Sequence, residues 1–61
     1  MARLDMHVTG LEYDLSLEEN AQGQQGFTVT YGAQVNHYER FDEAFMDFNE
    51  SLSHALALQG L

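Results

Sequence analysis

The side chains in this sequence best able to do chemistry are carboxylates, and several stand at helical spacing. Glu43, Asp47 and Glu50 occupy positions i, i+4 and i+7, with Asp42 beside them and His54 one turn further on. On an α-helix that spacing makes one stripe. Carboxylates so placed oppose one another by about 0.2–0.5 kcal/mol per pair, although those in the first turn regain part of this from the helix dipole. A second acidic group, Glu12, Asp14, Glu18 and Glu19, falls on the outer side of the first strand and its loop. A solvated surface accounts for either group alone. Together, with almost no lysine or arginine between them, they fit a surface aimed at a basic partner, because spaced carboxylates can imitate the phosphates of a nucleic acid. The contact charges expected are therefore Glu43, Asp47, Glu50 and Asp42, helped by Glu12, Asp14, Glu18 and Glu19, and reversing Asp47 and Glu50 to lysine should abolish binding with the fold intact.

Other chemistry has less support. His7, His37 and His54 share neither the i, i+4 nor the i, i+2 spacing that sets two imidazoles on one face, and no HExxH pattern is present. Ser16, Ser51 and Ser53 lie in no nucleophile elbow, and the neighbours Ser53 and His54 point about 100° apart on a helix. Paired carboxylates need a pocket for acid–base work, and one helix on a few short strands leaves little room for one. No catalytic residue, metal site or cofactor is expected, and the chain reads as a binding protein and not an enzyme.

The elements that must carry these groups follow from hydrophobic period. From Leu4 to Leu17 apolar and polar residues alternate, the period of a strand with one buried face. Leu4, Met6 and Val8 hold even positions, whereas Leu11, Tyr13, Leu15 and Leu17 hold odd ones, and Gly10 sits at the switch. Gly10 then marks either a bulge in one long strand or a break between two, and the bulge is favoured because Thr9-Gly10 makes a poor two-residue turn. Glu19 to Gly26 carries no apolar period and reads as an exposed hairpin loop. Phe27, Val29 and Tyr31 alternate with threonines in a second strand, Gly32-Ala33 offers a turn, and Gln34 to Glu39 forms a third, edge strand. Phe41, Ala44, Phe45, Phe48, Leu52, Ala55 and Leu56 then share one side of a helix from about Asp42 to Leu58, with Asp42 placed to cap it and Gly60 to end it. The expected fold is α+β over residues 1–61: a three-stranded antiparallel β-meander packed against one C-terminal α-helix.

Composition bounds the partners. Ten acidic residues against Arg3 and Arg40 give a net charge of −8, which repels nucleic-acid phosphates and anionic membranes. No stretch approaches the roughly 18 apolar residues of a membrane span, and no secretory signal pattern opens the chain, so a cytoplasmic location is expected. Cysteine is absent, so disulfides cannot support a core that in so short a chain supplies only about 3–5 kcal/mol. Self-association is the cheapest remaining support, and a homodimer is expected. Met46 and Leu58, apolar on the polar side of the helical wheel, and Tyr38 on the edge strand mark the surface for it, whereas Tyr31 and Phe41 are expected in the core.

The order strand, loop, Gly-aromatic strand, strand, acidic helix start resembles the N-terminal domain of HicB-type antitoxins. Gly26-Phe27 and Asp42-Glu43-Ala44 carry the likeness, which spans about half the chain. The family's proline-containing turn after its second strand is missing, since the chain has no proline, and no final strand or DNA-binding domain follows the helix in these residues. The resemblance implies a domain that neutralises a basic RNA-binding toxin. In size and charge the chain is also similar to small acidic phage proteins that inhibit host or defence enzymes, anti-CRISPR proteins among them. An alternative of another class is a structural or assembly protein that joins copies of itself through the apolar surface of Tyr38, Met46 and Leu58.

Overall fold

A computed structural model describes residues 3–21 and 23–60. The chain is α+β: strands β1 (Asp5–Val8), β2 (Leu15–Glu19), β3 (Phe27–Tyr31) and β4 (Gln34–Tyr38), then helix α1 (Phe41–Leu58). The strands form one antiparallel sheet in the order β1-β2-β3-β4, so each pairs with its neighbours in sequence.

The sheet has four strands where the hydrophobic period suggested three. The expected first strand is two, and Gly10 lies in the connection between them with φ at 85° and not in a bulge. The parity change has a simple cause. Met6 pairs with Leu17 and Val8 with Leu15, so even positions of β1 and odd positions of β2 share a face. Residues 9–14 form a longer loop than a two-residue turn, and it is pinned from two sides: the Gly32 N–H donates to the Asp14 carbonyl at 2.9 Å, and the Gln59 side chain donates to the Gly10 carbonyl at 2.8 Å. Leu11 packs against the core from this loop, and Tyr13 lies over Gly32 with its ring edge-on to Tyr31.

The helix lies over β2, β3 and β4 and does not reach β1. Its buried residues Ala44, Phe48 and Ala55 are spaced to face the sheet, and Ala44 and Phe48 join Leu15, Leu17 and Val29 in one core cluster. Leu17 is fully buried, between Met6 and Val29 in the ladder. Phe41 and Phe45, expected in the same stripe, sit at its margin and are 41% and 39% exposed. They stack on each other at 5.4 Å. Tyr31 and Tyr38 are half-buried against the core. The other side of the sheet, with His7, Ser16, Glu18, Thr28, Thr30, Val35 and His37, carries no covering element.

Both helix ends are made by backbone geometry. Arg40 is the N-cap, in extended conformation and without a side-chain hydrogen bond, so Asp42 is not the capping residue. It lies inside the first turn, where its carboxylate accepts the Glu43 N–H at 2.8 Å and benefits from the helix dipole. Gly60, with φ at 76°, donates its N–H to the Ala57 carbonyl and ends the helix. Gly26 is required by close approach: at its φ of 110° a Cβ would sit inside the Tyr38 carbonyl of β4. The loop it closes is shorter by one residue than expected, because Glu19 belongs to β2. The Asn20 N–H donates to the Gly26 carbonyl, and Thr28 donates its hydroxyl proton to the Asn20 side chain at 2.6 Å.

Candidate functional site

Where α1 passes over β4 it leaves a groove of about 430 Å³ lined by Tyr38, Asp42, Glu43, Met46, Asp47 and Glu50. The helical stripe is thus assembled as its spacing implied, and its four carboxylates line one concavity. Tyr38 and Met46 add apolar surface, Met46 being 64% exposed. A groove with carboxylate walls and an aromatic and thioether lining suits the long side chain of lysine or arginine, whose stem is apolar and whose head is charged.

The four carboxylates are not equivalent. Asp47 is half-buried and accepts three hydrogen bonds, from the Tyr38 hydroxyl at 2.7 Å, the Asn36 side-chain amide at 3.2 Å and the Ser51 hydroxyl at 3.3 Å. It ties the helix to β4. The Tyr38 phenol is held above its ordinary pKa, chiefly by this hydrogen bond, then by burial and by the nearby charges of Asp47, Glu50 and Glu43. Asp42 is engaged as well: the Arg40 guanidinium grips it with two hydrogen bonds, at 3.0 and 2.8 Å, and holds its carboxyl below the usual range. Glu43 and Glu50 remain exposed with no hydrogen-bond or ion-pair partner among the described residues. They are the free charges of the groove.

The second acidic group does not join the first. Glu12 and Asp14 stand in the β1–β2 loop, which is pinned to the β3–β4 turn and to Gln59 at the far end of the helix. Glu19 accepts the Leu4 N–H at 3.1 Å. Glu18 points to the uncovered side of the sheet, beside His7. The surface is acidic on several sides and is not a single acidic face. The expected self-association residues are also separated: Tyr38 and Met46 lie in the acidic groove, whereas Leu58 is 56% exposed, three turns further along the helix from Met46. The apolar side chains that do lie together at the surface are Phe41 and Phe45, with Phe27 edge-on to Phe41 at 5.5 Å.

One cluster lies apart from the residues that the sequence pattern singles out. On the uncovered side, His7 Nε2 lies 2.8 Å from Asp5 Oδ1 and 3.6 Å from Glu18 Oε1. The Asp5-x-His7 half of it follows the strand period and was open to view. Glu18 enters through the pairing register, which sets it opposite Asp5 and which the spacing of the histidines does not reveal.

Neither the protein-family models, nor the curated proteins, nor the solved structures compared with this chain yield a match.

Proposed function

We propose that this chain is a non-enzymatic, acidic protein-binding module that inhibits or neutralises a basic nucleic-acid-handling protein in the cytoplasm. The observation that carries the proposal is the groove beside β4, where Glu43 and Glu50 project free charge over the Tyr38 and Met46 surface. Of the two cationic side chains, Arg40 engages Asp42 at the rim of the groove, which leaves Glu43 and Glu50 as its unpaired charges among the described residues. Charge of one sign in a concavity steers an oppositely charged partner and excludes nucleic acid itself. An antitoxin acting on a basic RNA-binding toxin, as the likeness to HicB-type domains implies, and a phage inhibitor of a host enzyme are two forms of this reading. The dispersal of the other carboxylates narrows the contact surface to the helix and β4.

The test uses Glu43→Lys with Glu50→Lys, which leaves the Asp47 tie in place. Wild-type protein is expected to retain basic nucleic-acid-binding proteins from a lysate of its host in a salt-sensitive manner, and the double variant to lose them while keeping its circular dichroism and thermal midpoint. Retention that is unchanged in the double variant, or indifferent to salt, rejects the proposal.

Self-association is a second reading, favoured by the stacked and exposed Phe41 and Phe45. A homodimer formed through them survives high salt, whereas charge-led binding weakens steeply. Sedimentation at two ionic strengths separates the readings.

A further inference from the structure

We propose that Asp5, His7 and Glu18, brought together on the uncovered side of the β1–β2 hairpin, form a surface site for a divalent transition cation of the zinc type. The geometry supplies the first argument. A zinc ion holds nitrogen and oxygen ligands at about 2.0–2.2 Å in a tetrahedral arrangement, which sets the ligand atoms roughly 3.3–3.6 Å apart. His7 Nε2 stands 2.8 Å from Asp5 Oδ1 and 3.6 Å from Glu18 Oε1, and the three ligand atoms lie within 4.8 Å of one another. No pair of ligand atoms departs from that spacing by more than about 1.5 Å, a difference exposed side chains can close to seat the ion.

The backbone supplies the second. Asp5 and His7 are two residues apart on β1 and therefore project from one side, while the register sets Glu18 directly across from Asp5. β2 is hydrogen-bonded on both edges, to β1 and to β3, so the frame that holds Glu18 is the interior of the sheet and not a loop.

Charge supplies the third. Carboxylates directly opposite on neighbouring strands oppose each other, and in a chain of net charge −8 no arginine or lysine pairs with either of them among the described residues. Their shared neighbour is an imidazole, which in its neutral form is a metal ligand. A cation bridging all three removes the repulsion. The donor set also selects the ion: an imidazole nitrogen with two carboxylates suits zinc, copper or nickel, and falls short of the six to eight oxygens that calcium gathers. With three ligands from the protein, a fourth position stays open to water or to a donor from another molecule.

The experiment titrates the metal-free protein with zinc chloride, followed by calorimetry and by the histidine ring signals in NMR. One equivalent is expected to bind, with His7 shifted most and with magnesium failing to compete. His7→Gln and Asp5→Asn are each expected to weaken zinc by at least the roughly 10–100-fold that follows loss of a metal site's outer-shell partner, and His54→Gln to leave it unchanged. Circular dichroism keeps each variant's fold in view, and either of the two ligand variants alone decides the matter if the other fails to fold. Zinc binding that persists in both ligand variants, that moves His37 or His54 as strongly as His7, or that never saturates overturns the site.

Discussion

Asp47 and Glu18 are carboxylates on opposite sides of one sheet, and the protein uses them differently. Asp47, on the helix side, is half-buried and takes hydrogen bonds from Tyr38, Asn36 and Ser51. Glu18, on the uncovered side, is exposed and faces Asp5 and His7. A carboxylate whose lone pairs are filled by uncharged donors from two elements serves as a joint. One that meets another carboxylate and a nitrogen stays available to a cation. Negative charge in this chain therefore has a structural use at Asp47 and, under the two proposals above, a recognition use elsewhere, and the net charge alone does not tell them apart.

The contrast between the two sides can be broken most severely at β2. Leu17→Ala removes a fully buried side chain under the helix, a change that costs about 2–5 kcal/mol in comparable cores. That approaches the roughly 3–5 kcal/mol a core of this size supplies, so the variant is expected to lose its cooperative thermal transition. Ser16→Ala, one residue away on the side without a covering element, removes only a hydroxyl from a residue buried by its neighbours in the sheet, and is expected to shift stability by no more than about 1 kcal/mol. Equal losses would mean that both sides bear the packing.

Asp47 and Glu18 themselves provide a finer comparison. Asp47→Ala strands three donors of helix and sheet and is expected to cost about 1.5–3 kcal/mol in urea unfolding. Glu18→Gln is expected to stay within about 0.5 kcal/mol. An Asp47→Ala variant as stable as the wild type would return Asp47 to the set of free contact charges.

The smallest effect is a titration. The Tyr38 phenol donates to Asp47 and is held above the ordinary value of 10.0, so the folded state favours its neutral form. Its contribution is present in full below the unfolded pKa and is lost as pH rises through the folded one. Alkaline spectrophotometric titration of the wild type minus Tyr38→Phe isolates this phenol, which is expected to ionise late. In Asp47→Asn it should return toward its ordinary value, and an unmoved titration would remove Asp47 as the cause.

The helix and β3 could be read directly because each keeps one period from end to end: Ala44, Phe48 and Ala55 at helical spacing, Phe27, Val29 and Tyr31 in alternation. The β1–β2 hairpin was harder. A parity change at Gly10 arises equally from a bulge and from two strands whose paired residues have positions of opposite parity, and only the pairing of Met6 with Leu17 separates them. Asp47 looked like its neighbours Glu43 and Glu50 because the wheel puts all three toward solvent. Its difference comes from Tyr38 and Asn36, which β4 places under that flank. Phe41 and Phe45 differ from the expected core for a related reason, since the wheel does not show which part of a broad apolar stripe meets β2, β3 and β4 and which part is left at its margin. The Asp5, His7 and Glu18 cluster was half visible as a strand period and half dependent on register.

The strictly sequential pairing of β1 with β2, β2 with β3 and β3 with β4 sets the order in which this chain can acquire its structure. Every ladder joins neighbours in sequence, so each hairpin closes a short loop and the sheet can zip up without waiting for a distant segment. The apolar side of that sheet, with Leu15, Leu17 and Val29, has no cover until residues 41–58 arrive. During synthesis the helix comes after all four strands. For that interval the half-made protein exposes its core, and it is then most open to capture by a chaperone, by another nascent copy or by a protease.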